Sequence, residues 1–310
     1  MLIGIDVGGT NLVAAKVNAS GEILNKVSIP VNRTATAEAL CDDLIRLAQQ
    51  AANGEQIEAV GVGFPGLVDN ASGTVLQTPN MPFRSTPFRT IFQAKWNVPV
   101  YLGNDANCAA IGEYWAGAAK GRETAMMITL GTGIGGGLVI GGKLYAGFAG
   151  GGMEVGHMVI DPTGPTCGCG RKGCFEQFAS ATALIRDAKE QMKNHKGSRL
   201  WNACCGRIED LQGIHVFQAA DSGDPTAQKV LDTFIDHLAI GLANLINILQ
   251  PEAICLGGGI SNAQDDLFLD PLRVQVKKYI FDKNAPLTLE RAKLGNDAGL
   301  VGAAMLCKSV

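Results

Sequence analysis

Residues 2–11 read LIGIDVGGTN. An apolar run closes on a carboxylate, Asp6, and passes into Gly8, Gly9, Thr10 and Asn11, so a strand delivers one acid to a glycine turn. Successive N–H groups of such a turn can surround phosphate oxygens, Thr10 adds a hydroxyl donor, and Asp6 can orient a hydrated magnesium ion. Working outward, NLVAAKV (11–17) alternates and EILNKVSIP (22–30) follows the Ser20-Gly21 turn, which predicts an antiparallel three-stranded meander. Leu40, Leu44, Leu47 and Ala51 mark one face of a helix over 36–52, and IEAVGVGFPG (57–66) reads as a buried strand meeting a turn. VPVYLGND (98–105) is a further strand, followed by a helix over 106–116.

The second half repeats the plan. TAMMITLGTGIGGG (124–137) is a strand running into glycines, with LVIGGKLYAG (138–147) as its return. A helix over 225–249 stops at Pro251, AICLGGGIS (253–261) feeds a third glycine turn, 265–281 and 298–307 read as helices, and LTLERAKL (287–294) as a strand. The duplication predicts an α/β protein of two related lobes facing one cleft: residues 1–117 with 298–310, and residues 118–297.

Composition narrows the function. The 310 residues carry a net charge of -3, with no basic excess to meet nucleic acid. No apolar run approaches the roughly 20 residues of a membrane helix, because Asn244 and Asn247 interrupt the longest. The start lacks a basic leader and a cleavage site, so a cytoplasmic protein is expected. Six of the nine cysteines, Cys41, Cys108, Cys204, Cys205, Cys255 and Cys307, read as small hydrophobes or an isolated pair. The 40 glycines cluster in loops.

LGTGIGGG (130–137) offers the chemistry of the first turn again, with Gly131, Thr132 and Gly133 placed for phosphate. LGGGIS (256–261) has no charge, so Gly257, Gly258 and Gly259 suit close backbone approach to a flat base or ribose. Any one of these is also satisfied by a tight β-turn. The ordered set of strand-end Asp with GGT, then TLGTGIGGG, then GGG resembles the phosphate and adenosine motifs of the actin, heat-shock-protein and hexokinase superfamily. That resemblance implies a two-lobed actin-like ATPase (ribonuclease H-like) fold with the site in the interlobe cleft.

GNDANCAAIGEY (103–114) places Asn104 and Asp105 where a strand hands over to a helix. Asp105 there can take a proton from an attacking hydroxyl, or merely cap the helix. Asn80 and Glu154 add polar groups of the kind a sugar pocket needs. In HMVIDPTGPTCGCGRKGCFE (157–176), His157, Cys167, Cys169 and Cys174 form a Cys₃His set that suits a structural zinc, and the spacing does not fit a redox C-x-x-C.

EVGH (154–157) with CGCGRKGCFE (167–176), downstream of DVGGT and LGTGIGGG, closely resembles the ROK family of sugar kinases and repressors, along essentially the whole chain to DAGLVGAA (297–304). The resemblance implies Asp105 as general base, and Asn80, Asn104, Glu154 and Glu176 on sugar hydroxyls. It implies His157 between zinc and sugar, with Gly66 and Gly137 bordering the pocket. Repressors of the family carry a helix-turn-helix ahead of DxGGT, whereas Asp6 stands near the start, so a kinase is implied. ATP, magnesium and structural zinc are the implied cofactors, an aldohexose such as glucose the acceptor, and a homodimer or homotetramer the assembly. TPNMPFRSTPF (78–88) departs from the PN-hydrophobic-Trp wording of many glucokinases, which leaves room for another hexose. A sugar sensor without catalysis and an actin-like filament protein are the rivals from other classes.

Overall fold

The computed structural model describes residues 1–310. In chain order the elements are β1 (Leu2–Val7), β2 (Asn11–Val17), β3 (Ile23–Pro30), α1 (Ala37–Ala52), β4 (Ala59–Phe64), β5 (Leu67–Asp69), β6 (Thr74–Gln77), β7 (Arg84–Thr86), α2 (Phe88–Lys95), β8 (Val100–Asn104) and α3 (Asp105–Ala116). There follow β9 (Thr124–Leu130), β10 (Ile134–Ile140), β11 (Lys143–Leu144), α4 (Glu176–Ala179), α5 (Ala181–Asn194), α6 (Leu200–Ala203), α7 (Gly213–Asp221), α8 (Pro225–Leu249), β12 (Ala253–Gly257), α9 (Leu269–Tyr279), β13 (Thr288–Arg291) and α10 (Ala298–Ser309).

Two five-stranded sheets share one strand order, β3-β2-β1-β4-β8 and β11-β10-β9-β12-β13. The expected meander is present, since β1 pairs antiparallel with β2 and β2 with β3, while β4 runs parallel to both β1 and β8. A three-stranded sheet, β5-β6-β7, occupies a stretch to which sequence patterning assigns no element. The chain divides into two compact units: Met1–Met127 with Gly136–Met153 and Ala292–Val310, and Ile128–Gly135 with Glu154–Arg291.

The caps explain the helices that patterning found. Thr36 Oγ1 accepts from the N–H of Ala39 at 3.2 Å to start α1, and Asn53 ends it with φ 51°. Asp224 starts α8 by accepting from Ala227 at 2.8 Å, with Pro225 in the first turn. One face of α1, including Leu40, Leu44, Leu47 and Ala51, lies in a core with Ile3, Ile5, Val60, Val62 and Phe92.

The last helix of the first unit closes its other face. α10 packs on α3, β1 and β4. Its Gly302 lies so close to the backbone carbonyl of Cys108 in α3 that a β-carbon would overlap that oxygen. Two helices can approach this closely only where the contact lacks side chains. Beside them the buried carboxylate of Glu113 accepts three backbone N–H bonds, from Ala118 at 2.7 Å, Lys293 at 3.0 Å and Leu294 at 2.7 Å. It ties the end of α3 to the segment that leads into α10.

Candidate active site

In the first unit β1 brings Asp6 to a hairpin whose tip is Gly9-Thr10. Gly8 spends its N–H on the carbonyl of Asn11 at 3.0 Å, so the exposed residues Gly9 and Thr10 carry the donors that face solvent. Arg33 Nε donates to the carbonyl of Gly9 at 2.7 Å and sets a cation beside the turn. The Asn80 amide nitrogen lies 3.9 Å from the position a β-carbon on Gly9 would take, so Asn80 joins this cluster. Arg33 escaped sequence reading because only the return of the β1-β2-β3 meander brings it to the turn.

β8 ends at Asn104 and α3 begins at Asp105. Asn104 takes the N-cap, accepting from Asn107 N–H at 3.1 Å and donating Nδ2–H to the carbonyl of Gly66 at 2.8 Å. Asp105 is therefore the first residue of the helix and not its cap, and its carboxylate accepts from Ala106 N–H at 2.8 Å and from the Asn104 side chain. The Asn104 Oδ1 keeps one further lone pair for a hydroxyl. Gly66 has φ 96° and packs against the carbonyl of Gln77, a conformation and a space that side chains resist.

Asp105 perturbs Asp6. Burial pushes Asp6 up to about 6, with the nearby charge of Asp105 adding to the rise and Lys26 opposing it. Crowding by protein atoms likewise raises Asp105, against the N–H of Ala106 and the Asn104 side chain. Full burial raises the thiol of Cys108 well above its ordinary range, with Asp105 and Asp6 adding to it, so this cysteine stays protonated and inert.

Gly137 is placed differently from the expectation of a glycine turn over 131–137. The turn is only Gly131–Gly133; β10 starts at Ile134 and carries Gly137, where a β-carbon would stand 2.6 Å from Ala110 of α3. Gly137 thus fits strand to helix.

In the second unit the turn after β9 spends the Gly131 N–H on Gly133 O at 3.1 Å, and Gly131 O accepts from Ala181 N–H at 2.9 Å at the start of α5. Thr182 Oγ1 donates to Thr132 O at 2.7 Å. These bonds fix the turn and leave the N–H groups of Thr132 and Gly133 for a ligand. Beside it is a cavity of about 310 Å³ lined by Thr132, Gln212, Ile214, Phe217, Gly259 and Asn262. Of the third glycine run, Gly259 lines this cavity, Gly257 is buried at the end of β12, and Gly258, with φ 87°, presses against the backbone of Leu130. Gln212 and Asn262 lie in loops with no periodic signal, which is why sequence reading passed over them.

His157, Cys167, Cys169 and Cys174 converge, their ligand atoms all within 4.8 Å of one another. Cys167 Sγ is 3.6 Å from His157 Nδ1, and Cys169 Sγ is 3.6 Å from Cys174 Sγ. Ligands about 2.3 Å from one tetrahedral centre stand about 3.5–3.8 Å apart, so the set fits zinc. Bridges pairing Val159 with Cys174 and Thr166 with Lys172 wind the loop, helped by φ of 87° at Gly170 and 75° at Gly173. Glu176 links this cluster to the turn after β9. Its Oε1 accepts from Cys167 Sγ at 3.0 Å and lies 3.7 Å from His157 Nδ1, and its Oε2 lies 2.6 Å from where a β-carbon on Gly133 would stand. Glu154 is exposed immediately before the 3₁₀ turn Val155–His157.

Comparison with known proteins agrees along the full length. A family model described as ROK family matches residues 2–310. A glucokinase of Streptomyces coelicolor is 39% identical over 312 residues, covering 99% of this chain and 98% of that protein. A Thermotoga maritima glucokinase is likewise 39% identical, covering 99% and 97%. Among solved structures, a ROK family glucokinase from Streptomyces griseus in complex with glucose and AMPPNP aligns with TM-score 0.82 and 38% identity over 98% of both chains.

Proposed function

The chain belongs to the ROK family, and from that premise we propose that it is an ATP-dependent hexose kinase that phosphorylates an aldohexose, glucose above others, at O6. The fold is that of the actin-like ATPases. The observation that carries the reading is Asp105: an exposed carboxylate at the start of α3, raised in pKa, and relieved of helix capping by Asn104.

Phosphoryl transfer needs little covalent help, so positioning and charge dominate. Asp105 accepts the proton of the sugar O6 hydroxyl as that oxygen attacks the γ-phosphorus, and the leaving group is ADP. Asn80, Asn104, Glu154, His157 and Glu176 hold the remaining hydroxyls, and Gly66 lets the chain turn between them. The open N–H groups of Gly9 and Thr10, and likewise those of Thr132 and Gly133, are suited to phosphate oxygens, and the cavity with Gly259 to the adenosine. Magnesium, held through Asp6, supplies charge neutralisation for the phosphates. Zinc, held by His157, Cys167, Cys169 and Cys174, supplies a rigid cross-link of the loop that bears Glu176.

No helix is long and apolar enough to cross a membrane. A cytoplasmic homodimer or homotetramer completes the proposal. ADP release with magnesium-ATP across glucose, mannose, allose, fructose and the N-acetylated hexosamines tests the reading. Glucose is expected to give the highest kcat/KM. Turnover with none of them overturns it.

A further inference from the structure

A cavity of the first unit, about 510 Å³, is lined by Asp69, Asn70, Arg89, Gln93, Tyr101 and Phe148 among others, and contains none of the residues assigned to catalysis. It stands at the opposite end of β8 from Asp105: Arg89 Nε reaches the carbonyl of Val100, and Asn70 Nδ2 that of Leu102. About three residues of strand, or ~10–13 Å, separate the two ends.

Two features mark this cavity as built for a ligand. Asn70 is 8% exposed, and its Oδ1 has no hydrogen-bond partner. Exchanging the amide atoms would not repair this, because Nδ2 already donates to Leu102 O at 2.8 Å and an oxygen there would face another oxygen. A buried acceptor left open is costly, and since this atom is closed to solvent a ligand O–H satisfies it only by drawing the Asn70 side chain round toward the cavity. Arg89 is the second feature. It bonds only carbonyl oxygens, those of Val100, Ala71 at 2.7 Å and Asn70 at 2.7 Å, so part of its five-donor fork remains open.

We propose that this cavity is a second sugar site. Planar polar groups that offer both acceptors and donors, Asn70, Arg89 and Gln93, match vicinal hydroxyls, while the rings of Tyr101 and the fully exposed Phe148 match the C–H face of a pyranose. The direct charges at the cavity, Asp69 and Arg89, are opposite, which suits the hydroxyls of a hexose ring. The segment that carries Gly147, Phe148 and Gly150 along the cavity runs on within four residues to Glu154, a residue assigned to the acceptor sugar. The choice of sugar rests on the hexose kinase reading.

Equilibrium dialysis of the full chain against radiolabelled glucose counts the sites. Two equivalents per chain are expected, the second weaker than the first. Gln93→Leu, at an exposed helix position, and Ala71→Trp, which fills the cavity from an exposed turn, are each expected to weaken the second equivalent by about 10-fold or more, leaving the first equivalent and kcat unchanged. A single equivalent in the wild type, or a second equivalent that both variants retain, overturns the proposal. Failure to bind the first equivalent would overturn the kinase reading instead, so the two failures are separable. Glucose 6-phosphate added to the glucose-loaded protein distinguishes the two sources of a hexose ring. Displacement of the second equivalent alone assigns the site to product, and its retention assigns it to free sugar.

Discussion

At the scale of single residues, the role proposed for Asp105 and the burial of Asp6 each have a measurable consequence. Asp105→Asn removes the base and is expected to lower kcat by roughly 10²-fold or more in a protein that still folds. Asp6 ties function to stability. Its folded pKa of about 6 lies above the ordinary 3.8, so the folded state holds the proton more tightly than the unfolded one. Stability from this group is full below about pH 3.8 and is lost as pH rises through 6, by up to about 3 kcal/mol. Asp6→Asn is therefore expected to melt several degrees above the wild type at pH 8, with no such gain at pH 4, while losing kinase activity. Melting curves at the two pH values check the sign. Because Asp105 must be ionised to accept a proton and its pKa is raised, kcat/KM is expected to fall on the acid side at a pH above the ordinary carboxylate range. Asp6 and Asp105 were legible as carboxylates at strand ends. That Asn104 and not Asp105 caps α3 was not legible, since either side chain can cap and only the backbone at 104, φ -69° and ψ 150°, decides it.

At the scale of elements, what the sequence announces is what its local chemistry stabilises. α1 and α8 have an apolar stripe and a capping side chain, and their limits fall within a residue of the pattern. β5, β6 and β7 hold three or four residues each, too few for a period to register, and the prolines at 79, 82 and 87 break the stretch further. The glycines at 135–137 misled for a related reason: glycine marks turns, but β10 uses Gly137 to approach a helix. The convergence of His157, Cys167, Cys169 and Cys174 was legible because such residue types are rare and closely spaced. Cys169 is its exposed member, so Cys169→Ser should spare the core. Elemental analysis is expected to show close to one zinc per wild-type chain and a large loss in the variant, with KM for glucose raised more than kcat is lowered. Zinc-free wild-type protein of full activity and unchanged KM would remove the metal from the account. Gly302→Val, which forces a side chain into the Cys108 carbonyl, is expected to destabilise by at least 1–3 kcal/mol, read as a lower Tm.

At the scale of the whole molecule, the repeated strand order of the two sheets was visible as a duplication of strand-turn-strand units around DVGGT and LGTGIGGG. The first unit gathers three separate stretches of chain, and while 298–310 was read with 1–117, no local pattern marks the return of 136–153 to it. A fragment that ends before Ala292 lacks the helix that covers β1, β4 and α3. It is expected to show no cooperative thermal transition for the first unit, whereas the full chain does.

That arrangement also gives the protein a history. A ribosome that has finished Met127 must add roughly 160 residues before the segment bearing α10 emerges, about 8–30 s at ordinary translation speeds. Throughout that interval the groove prepared for α10, bordered by Gly4, Gly61 and Gly112, stands open, and the three N–H bonds to Glu113 cannot all form. The second unit, complete by Arg291, can therefore fold before the first that was begun, and the nascent chain spends that time as a client for chaperones that shield unfinished apolar surface.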